Sequence, residues 1–122
     1  MAYTGWQITE TDRLRLLTLF PPVYPDIIAH HVTCVFGVSP FTDAPTEASG
    51  VIVGEVQTDG VQALIVRIAG TIYRPDGAIY HITWSIDRSE GRKPVDSNHV
   101  IATYGFKTVR PIIVELMPMV FV

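Results

Sequence analysis

Two turn signals in the middle of the chain restrict it to folds in which neighbouring strands run antiparallel. Asp59-Gly60 and Pro75-Asp76-Gly77 each lie between two apolar stretches. Such short segments adopt the backbone conformations of tight β-turns, so the flanking stretches are expected to pair as hairpins. The four predicted strands are 51–58 and 61–69 around the first turn, and 71–74 and 79–87 around the second.

A helix is predicted near the start of the chain. Thr9 followed by Asp12 resembles a capping box, and the helix must end before Pro21-Pro22, because the residue before a proline avoids the helical region. The apolar stripe of this helix consists of Leu14 and Leu17, with Leu16 at its border.

Further elements complete an α+β prediction. Strands are expected at 30–38 and 110–116, with a polar loop over 40–50. A short helix is expected to be capped by Asp96 or Ser97, to run to about Tyr104 and to end at Gly105. One or two helices with about six strands, mostly antiparallel, indicate a single α+β domain over residues 1–122.

Composition and charge exclude several classes of function. The net charge of the 122-residue chain is −3, which argues against a binder of extended duplex nucleic acid, although a small phosphate ligand stays compatible. Cys34 is the only cysteine, so an intrachain disulfide is impossible and core packing is expected. No apolar run reaches the roughly 20 residues of a membrane span, and no signal-peptide pattern opens the sequence. We therefore expect a cytoplasmic protein without a membrane partner.

Two His-x-Thr units carry the clearest chemical signal. His31 and Thr33 lie in H-H-V-T-C-V at residues 30–35, and His81 and Thr83 lie in Y-H-I-T-W-S-I-D at residues 80–87. Side chains alternate between the two faces of a strand, so each His and Thr pair is expected to share one face. The two segments also align without a gap, which suggests two similar strands related by a pseudo-twofold axis.

The same alternation assigns the neighbours of each unit to a face. Val35 is expected on the face of His31, and Ser85 on the face of His81. The apolar residues opposite them, Trp84 among them, are expected in the core. His30 is expected to point away from His31, on the opposite face with Val32 and Phe36.

Two imidazoles and two hydroxyls in one groove suffice for hydrolysis of a phosphodiester. Near neutral pH one histidine can accept a proton from water while the other, charged, donates a proton to the leaving oxygen. The threonine hydroxyls can donate to phosphate oxygens, where charge develops in the transition state. A metal site is disfavoured because zinc needs three or four converging ligands, and no cofactor is expected.

These residues resemble the 2H phosphoesterase superfamily, which includes LigT-like RNA cyclic phosphodiesterases and the cyclic phosphodiesterase domains of tRNA ligases. The resemblance lies in H-I-T-W-S at 81–85 followed by K-P-V-D-S-N at 93–98, and in F-P-P-V-Y-P-D-I-I-A-H-H-V-T at 20–33. It implies a two-lobed α+β fold with a central groove. It also implies hydrolysis of 2′,3′-cyclic phosphate RNA ends or cyclic nucleotides, with His31 and His81 as the acid–base pair and Thr33 and Thr83 as phosphate binders.

The resemblance leaves the substrate and some supporting residues open. Small viral members of the superfamily destroy cyclic oligonucleotide signals of host immunity, in which case the protein would act in the host-cell cytoplasm; a role in RNA repair is the other pathway. There are two alternatives: a module that binds a nucleotide without turnover, and an interaction protein in which the motifs occur by chance. The candidate substrate-binding residues are Tyr24 and Tyr80, as base-stacking rings, and Lys93, Ser97 and Asn98, after the second unit.

Overall fold

The computed structural model describes residues 2–122. Within this range seven strands and two α-helices follow one another, with a 3-10 turn at Arg88–Glu90. The strands are β1 (Ala2–Ile8), β2 (Asp26–Ile27), β3 (His31–Val38), β4 (Ser49–Thr58), β5 (Val61–Arg67), β6 (His81–Ile86) and β7 (Lys107–Phe121), and the helices are α1 (Glu10–Leu19) and α2 (Asp96–Tyr104).

Six of the strands close into an antiparallel barrel. Their order is β6-β3-β1-β7-β4-β5, and β5 pairs with β6 to complete the circle. The short strand β2 pairs with the end of β6, at Ser85 and Ile86, whereas β3 pairs near the start of β6, at Ile82. The expected α+β class with mostly antiparallel strands is confirmed.

Apolar side chains form two clusters, one on each side of strands β5 and β6. The larger cluster combines residues of six strands and of α1, including the fully buried rings of Trp6 and Trp84. The smaller cluster lies where α2 covers β5, and includes Ile65, Val100 and Ile101. Strand β6 therefore has no exposed face, which is why all six of its residues are buried.

Helix α1 begins as predicted but presents a different face to the core. The Thr9 hydroxyl accepts the amide hydrogen bond of Asp12 at 3.2 Å and caps the helix. Leu16 is fully buried and Leu17 partly, whereas Leu14 is 57% exposed. The carboxylate of Asp12 also accepts the backbone N–H of Glu115 at 2.7 Å, so this contact with β7 sets which side of the helix is buried.

The first predicted hairpin is confirmed and the second is looser than predicted. Asp59 and Gly60 both have positive φ, 56° and 78°, as a two-residue turn requires. The segment 71–74 forms only two isolated bridges rather than a strand. Its turn is fixed by Asp76, whose carboxylate accepts the N–H of Ala78 at 3.0 Å and two hydrogen bonds from Arg74.

Strand β1 was not predicted, because it contains a glycine, a residue that is depleted in strands. Gly5 is required there: a Cβ at this position would overlap the carbonyl oxygen of Val32 in β3. The last strand is longer than the predicted 110–116, since it continues through Pro118, which pairs with Trp6 of β1. Proline is disfavoured in the interior of a strand, so the sequence predicted an end to β7 before Pro118.

A bulge follows the His-x-Thr unit in both β3 and β6. Gly5 pairs with Thr33 and Thr4 with Val35, so Cys34 has no partner in β1. Similarly, β5 pairs with Thr83 and Ser85 but skips Trp84. Each bulge reverses the side-chain alternation of the residues after it.

The bulge in β6 points the side chain of Ser85 into a buried polar network that connects β4, β5 and β6. The Ser85 hydroxyl donates to the Gln62 side chain at 2.6 Å and accepts the N–H of Tyr24 at 3.2 Å. Gln62 also donates to Glu55 at 3.0 Å and accepts the N–H of Val23 at 3.1 Å. The prediction that Ser85 shares the face of His81 is therefore wrong, and the network instead fixes the segment leading towards β3.

Candidate functional site

The two His-x-Thr units lie side by side on neighbouring strands. Val32 of β3 pairs with Ile82 of β6, and both side chains are fully buried. In the antiparallel register set by this pair, the first unit runs opposite the second, each histidine facing the other unit's threonine. The pair thus acts as a local twofold centre that brings all four polar side chains to one face.

These four side chains converge on one cavity of about 340 Å³. This volume is at the lower end of the range typical of small-molecule sites. Strands β1, β3 and β6, the turn before β6 and the start of α2 contribute the walls. The lining residues are Tyr3, His31, Thr33, Phe36, Arg74, His81, Thr83, Pro94, Val95 and Asn98.

His81 is held in a defined orientation. Its Nδ1 lies 2.8 Å from the carbonyl oxygen of Ile79, an acceptor only, so Nδ1 carries a proton and donates it. The other ring nitrogen, Nε2, is then free to exchange a proton with a ligand. Burial lowers the pKa of His81; the bond to Ile79 opposes this effect, and the charge of Arg74 adds to it.

His31 contacts the neighbouring His30, contrary to the prediction that the two point to opposite faces. Their Nδ1 atoms are 3.0 Å apart. The alternation fails because Ala29 has a φ of +46° and β3 begins only at His31, so His30 lies outside the strand. Burial, together with the charges of His30 and then of His81, lowers the pKa of His31 to about 4.

The hydroxyl of Thr83 is already bonded within the protein. It donates to the carbonyl of Pro94 at 3.1 Å and lies 2.8 Å from the hydroxyl of Ser97, which is fully buried. With its one proton given to Pro94, Thr83 accepts the bond from Ser97. Thr83 and Ser97 therefore attach the start of α2 to β6, while Thr33 lines the cavity on the facing strand.

Arg74 is a cavity residue that the sequence prediction missed. Only 7% of the residue is exposed, and its Nε and Nη2 donate to Asp76 at 3.1 and 2.6 Å. Its guanidinium carbon lies 5.4 Å from the ring centroid of Phe36. The available signal was R-P-D-G, in which an Asp two residues after Arg can orient the guanidinium across the turn. Arg74 is therefore the lining residue that carries a formal positive charge, which is paired with the carboxylate of Asp76.

The predicted substrate-binding residues differ in whether they line the cavity. Asn98 lines the cavity, and its amide donates to the Val95 carbonyl at 3.1 Å, while its oxygen is buried without a partner among the described residues. Lys93 is exposed and is not a lining residue. Tyr80 is 7% exposed and lies edge-on to Trp6 in the larger core cluster, and Tyr24 is not a lining residue. The rings that do line the cavity are Tyr3 and Phe36.

No group of three or more His, Cys, Asp or Glu suited to holding a metal ion occurs within residues 2–122. Nor does that part of the chain contain a helix long and apolar enough to cross a membrane. Comparisons with protein-family models, with curated proteins and with solved structures find no match to the chain.

Proposed function

We propose that the protein is a metal-independent phosphodiesterase of the 2H type, which hydrolyses cyclic phosphodiesters such as 2′,3′-cyclic phosphate ends or cyclic nucleotides. The observation that carries the proposal is the convergence of both His-x-Thr units on one cavity through the Val32–Ile82 pair. Two imidazoles that line the same cavity are suited to general acid–base catalysis at a single phosphorus.

The environments of the two histidines suggest different roles. His31, with a pKa of about 4, is neutral at neutral pH and accepts a proton from the attacking water. His81 donates to the Ile79 carbonyl through Nδ1, a bond that stabilises the charged ring, and it protonates the leaving ribose oxygen from Nε2. After turnover His31 carries a proton and His81 lacks one, and exchange with solvent restores the starting state.

Three donors stabilise the phosphate during this reaction. Thr33 and Arg74 line the cavity and supply a hydroxyl and a guanidinium. Thr83 donates as a third group when its hydroxyl turns from the Pro94 carbonyl to the phosphate, with Ser97 remaining its partner. Charge-assisted hydrogen bonds from a guanidinium are stronger than those from a neutral hydroxyl, so Arg74 contributes most to phosphate affinity.

This assignment predicts an acidic optimum for kcat/KM. The rate rises as His31 loses its proton near pH 4 and falls as His81 loses its proton, at a lower pH than an ordinary histidine would, because burial lowers the pKa of each free histidine. A bound phosphate anion raises both pKa values, so the optimum of kcat lies at higher pH than that of kcat/KM. Initial rates at limiting and saturating substrate, measured from pH 3.5 to 8.5, test both statements.

The two-lobed fold and the cellular role of the 2H phosphoesterases form part of the same proposal. The local twofold centre at Val32–Ile82 would relate the two lobes of a 2H arrangement. Two processes would use this hydrolysis of cyclic phosphodiesters: RNA repair in the cytoplasm, and viral removal of cyclic signalling nucleotides.

A nucleotide-binding module is the second candidate. The observation that favours it is the state of the free site: both histidines have lowered pKa values, and the Thr83 hydroxyl is already bonded. A site that holds no charged imidazole at neutral pH could bind an anion through Arg74 without turning it over.

Separate alanine variants of the two histidines distinguish the candidates. His31→Ala and His81→Ala are assayed against a panel of 2′,3′-cyclic mononucleotides and cyclic dinucleotides with EDTA present, and products are identified by mass spectrometry. We expect losses of about 10²-fold or more in each variant, as is usual for an acid–base residue. The matched control is His99→Ala, since His99 is exposed on α2 outside the cavity. Full activity in either cavity variant contradicts the proposed pair, and intact bound ligand after long incubation indicates the binding module.

A further inference from the structure

Phe36 is an aromatic side chain displayed in the cavity by the bulge in β3. Regular alternation would have placed Phe36 on the face opposite His31 and Thr33. Because Cys34 is skipped in the pairing with β1, Phe36 returns to their face and pairs with Tyr3. It lines the cavity although 53% of the residue remains exposed. Bulges beside a site commonly re-aim a side chain in this way.

The surroundings of Phe36 hold the ring in place. The Tyr3 ring lies 5.5 Å from it at a 41° tilt, and Tyr3 in turn stacks on Phe121 at 4.7 Å. Arg74 contributes its guanidinium 5.4 Å from the ring centroid. The aromatic wall of the cavity is thus fixed by neighbours, yet a large part of the Phe36 surface remains available to a ligand.

The spacing of this wall from the polar residues suits a nucleoside. Thr33 and Phe36 lie three residues apart on β3, which corresponds to at most about 10 Å along a strand. A phosphate at the His-x-Thr units and a base at Phe36 would be joined by one ribose. The cavity volume of about 340 Å³ matches one nucleotide unit rather than an extended strand.

We propose that Phe36 forms a nucleobase subsite, against which the base of a nucleotide stacks while its phosphate meets Arg74 and the His-x-Thr units. The position of the phosphate rests on the proposed function; the aromatic subsite is an addition to it. An exposed phenylalanine ring gains free energy when a planar apolar surface covers it, and every base has such a surface. The subsite therefore selects for ligands that carry a base and tolerates different bases.

Binding of adenosine 3′-monophosphate and of inorganic phosphate, measured by calorimetry at one pH and salt concentration, tests the subsite. The variants are Phe36→Leu, which removes the aromatic face, and Phe36→Trp, which retains one. Phe41→Leu is the matched control, because Phe41 is 94% exposed in the loop before β4 and is not a lining residue. Exposure of Phe36 makes both substitutions compatible with folding.

We expect Phe36→Leu to weaken nucleotide binding by about 5- to 150-fold, the range for loss of one stacked base, and to weaken phosphate binding much less. Phe36→Trp and Phe41→Leu should bind the nucleotide as the native chain does. Unchanged nucleotide affinity in Phe36→Leu overturns the subsite, as does a native chain that binds the nucleotide no more tightly than phosphate.

The same measurements separate this inference from the proposed reaction. Nucleotide binding that depends on Phe36, in a protein that hydrolyses no cyclic phosphate, supports the subsite and contradicts the phosphodiesterase. Hydrolysis that requires His31 and His81 but proceeds equally well on a ribose 2,3-cyclic phosphate without a base supports the phosphodiesterase and overturns the subsite.

Discussion

The cavity histidines should make the protein less stable as pH falls from neutral, and His31 allows the size of this effect to be worked out. Its pKa in the folded protein is about 4, against 6.5 for an ordinary histidine. Between these values the unfolded chain binds more protons than the folded chain, so the stability that depends on a neutral His31 is complete above pH 6.5 and is lost as pH falls.

The magnitude follows from the linkage relation. A difference of this size corresponds to roughly 3 kcal/mol over the whole window, of which about 2 kcal/mol is lost by pH 5. Because the His31 ring is only partly buried, solvent screening reduces the expected loss at pH 5 to about 1 kcal/mol. His81 is buried and its pKa is also lowered, so it contributes in the same direction.

Chemical denaturation at pH 7.5 and pH 5 measures the effect. Native protein should lose about 1 kcal/mol more than His31→Gln between these two conditions, because the variant lacks the titrating ring. His99→Gln controls for removal of one histidine from an exposed position on α2. If His31→Gln and His99→Gln lose the same free energy of unfolding, His31 is not held neutral in the cavity and its assignment as the base fails.

Three further predictions concern residues around the cavity. Asp76→Asn should raise KM about 10-fold with a smaller change in kcat, because Arg74 loses the ion pair that orients it. Arg74→Lys should raise KM by at least as much. If either variant lowers kcat by as much as it raises KM, the role of Arg74 in substrate binding is contradicted. Ser97→Ala should cost about 1–2 kcal/mol of stability, measured by denaturant unfolding, since it removes the buried partner of Thr83; a neutral substitution would refute that contact. Gly5→Ala should lower stability by about 2 kcal/mol or more through overlap with the facing strand, and an unchanged Tm would exclude the close approach.

Local sequence signals were sufficient for much of the fold and for the four central residues of the candidate cavity. The hairpin at Asp59-Gly60 and the cap at Thr9 depend on a few neighbouring residues, and both are confirmed. Alternation correctly separated His31 and Thr33 from Val32, because three residues of regular strand obey the period of two. Closure of the strands into a barrel was not predicted, since it depends on pairings between distant segments such as β1 and β7.

The residues that the sequence prediction missed depend on longer-range structure. The bulges after both units reverse the positions of Ser85 and Phe36, and nothing in the local pattern marks a bulge. Arg74 is buried against the usual tendency of arginine, because Asp76 and the cavity provide partners. His30 lies close to His31 because Ala29 has a positive φ. A positive φ is uncommon for residues other than glycine, so the sequence does not indicate it at an alanine.

The thin connection between β3 and β6 would couple binding of the proposed ligand to the integrity of the barrel. These strands share one residue pair, Val32–Ile82, whereas β4 and β5 share seven; two more hydrogen bonds join β6 to Ile28 and Ala29. A phosphate that contacts both His-x-Thr units would act as a non-covalent cross-link across this junction. Bound ligand should therefore slow hydrogen exchange of the amides along β3 and β6 more than that of the amides between β4 and β5.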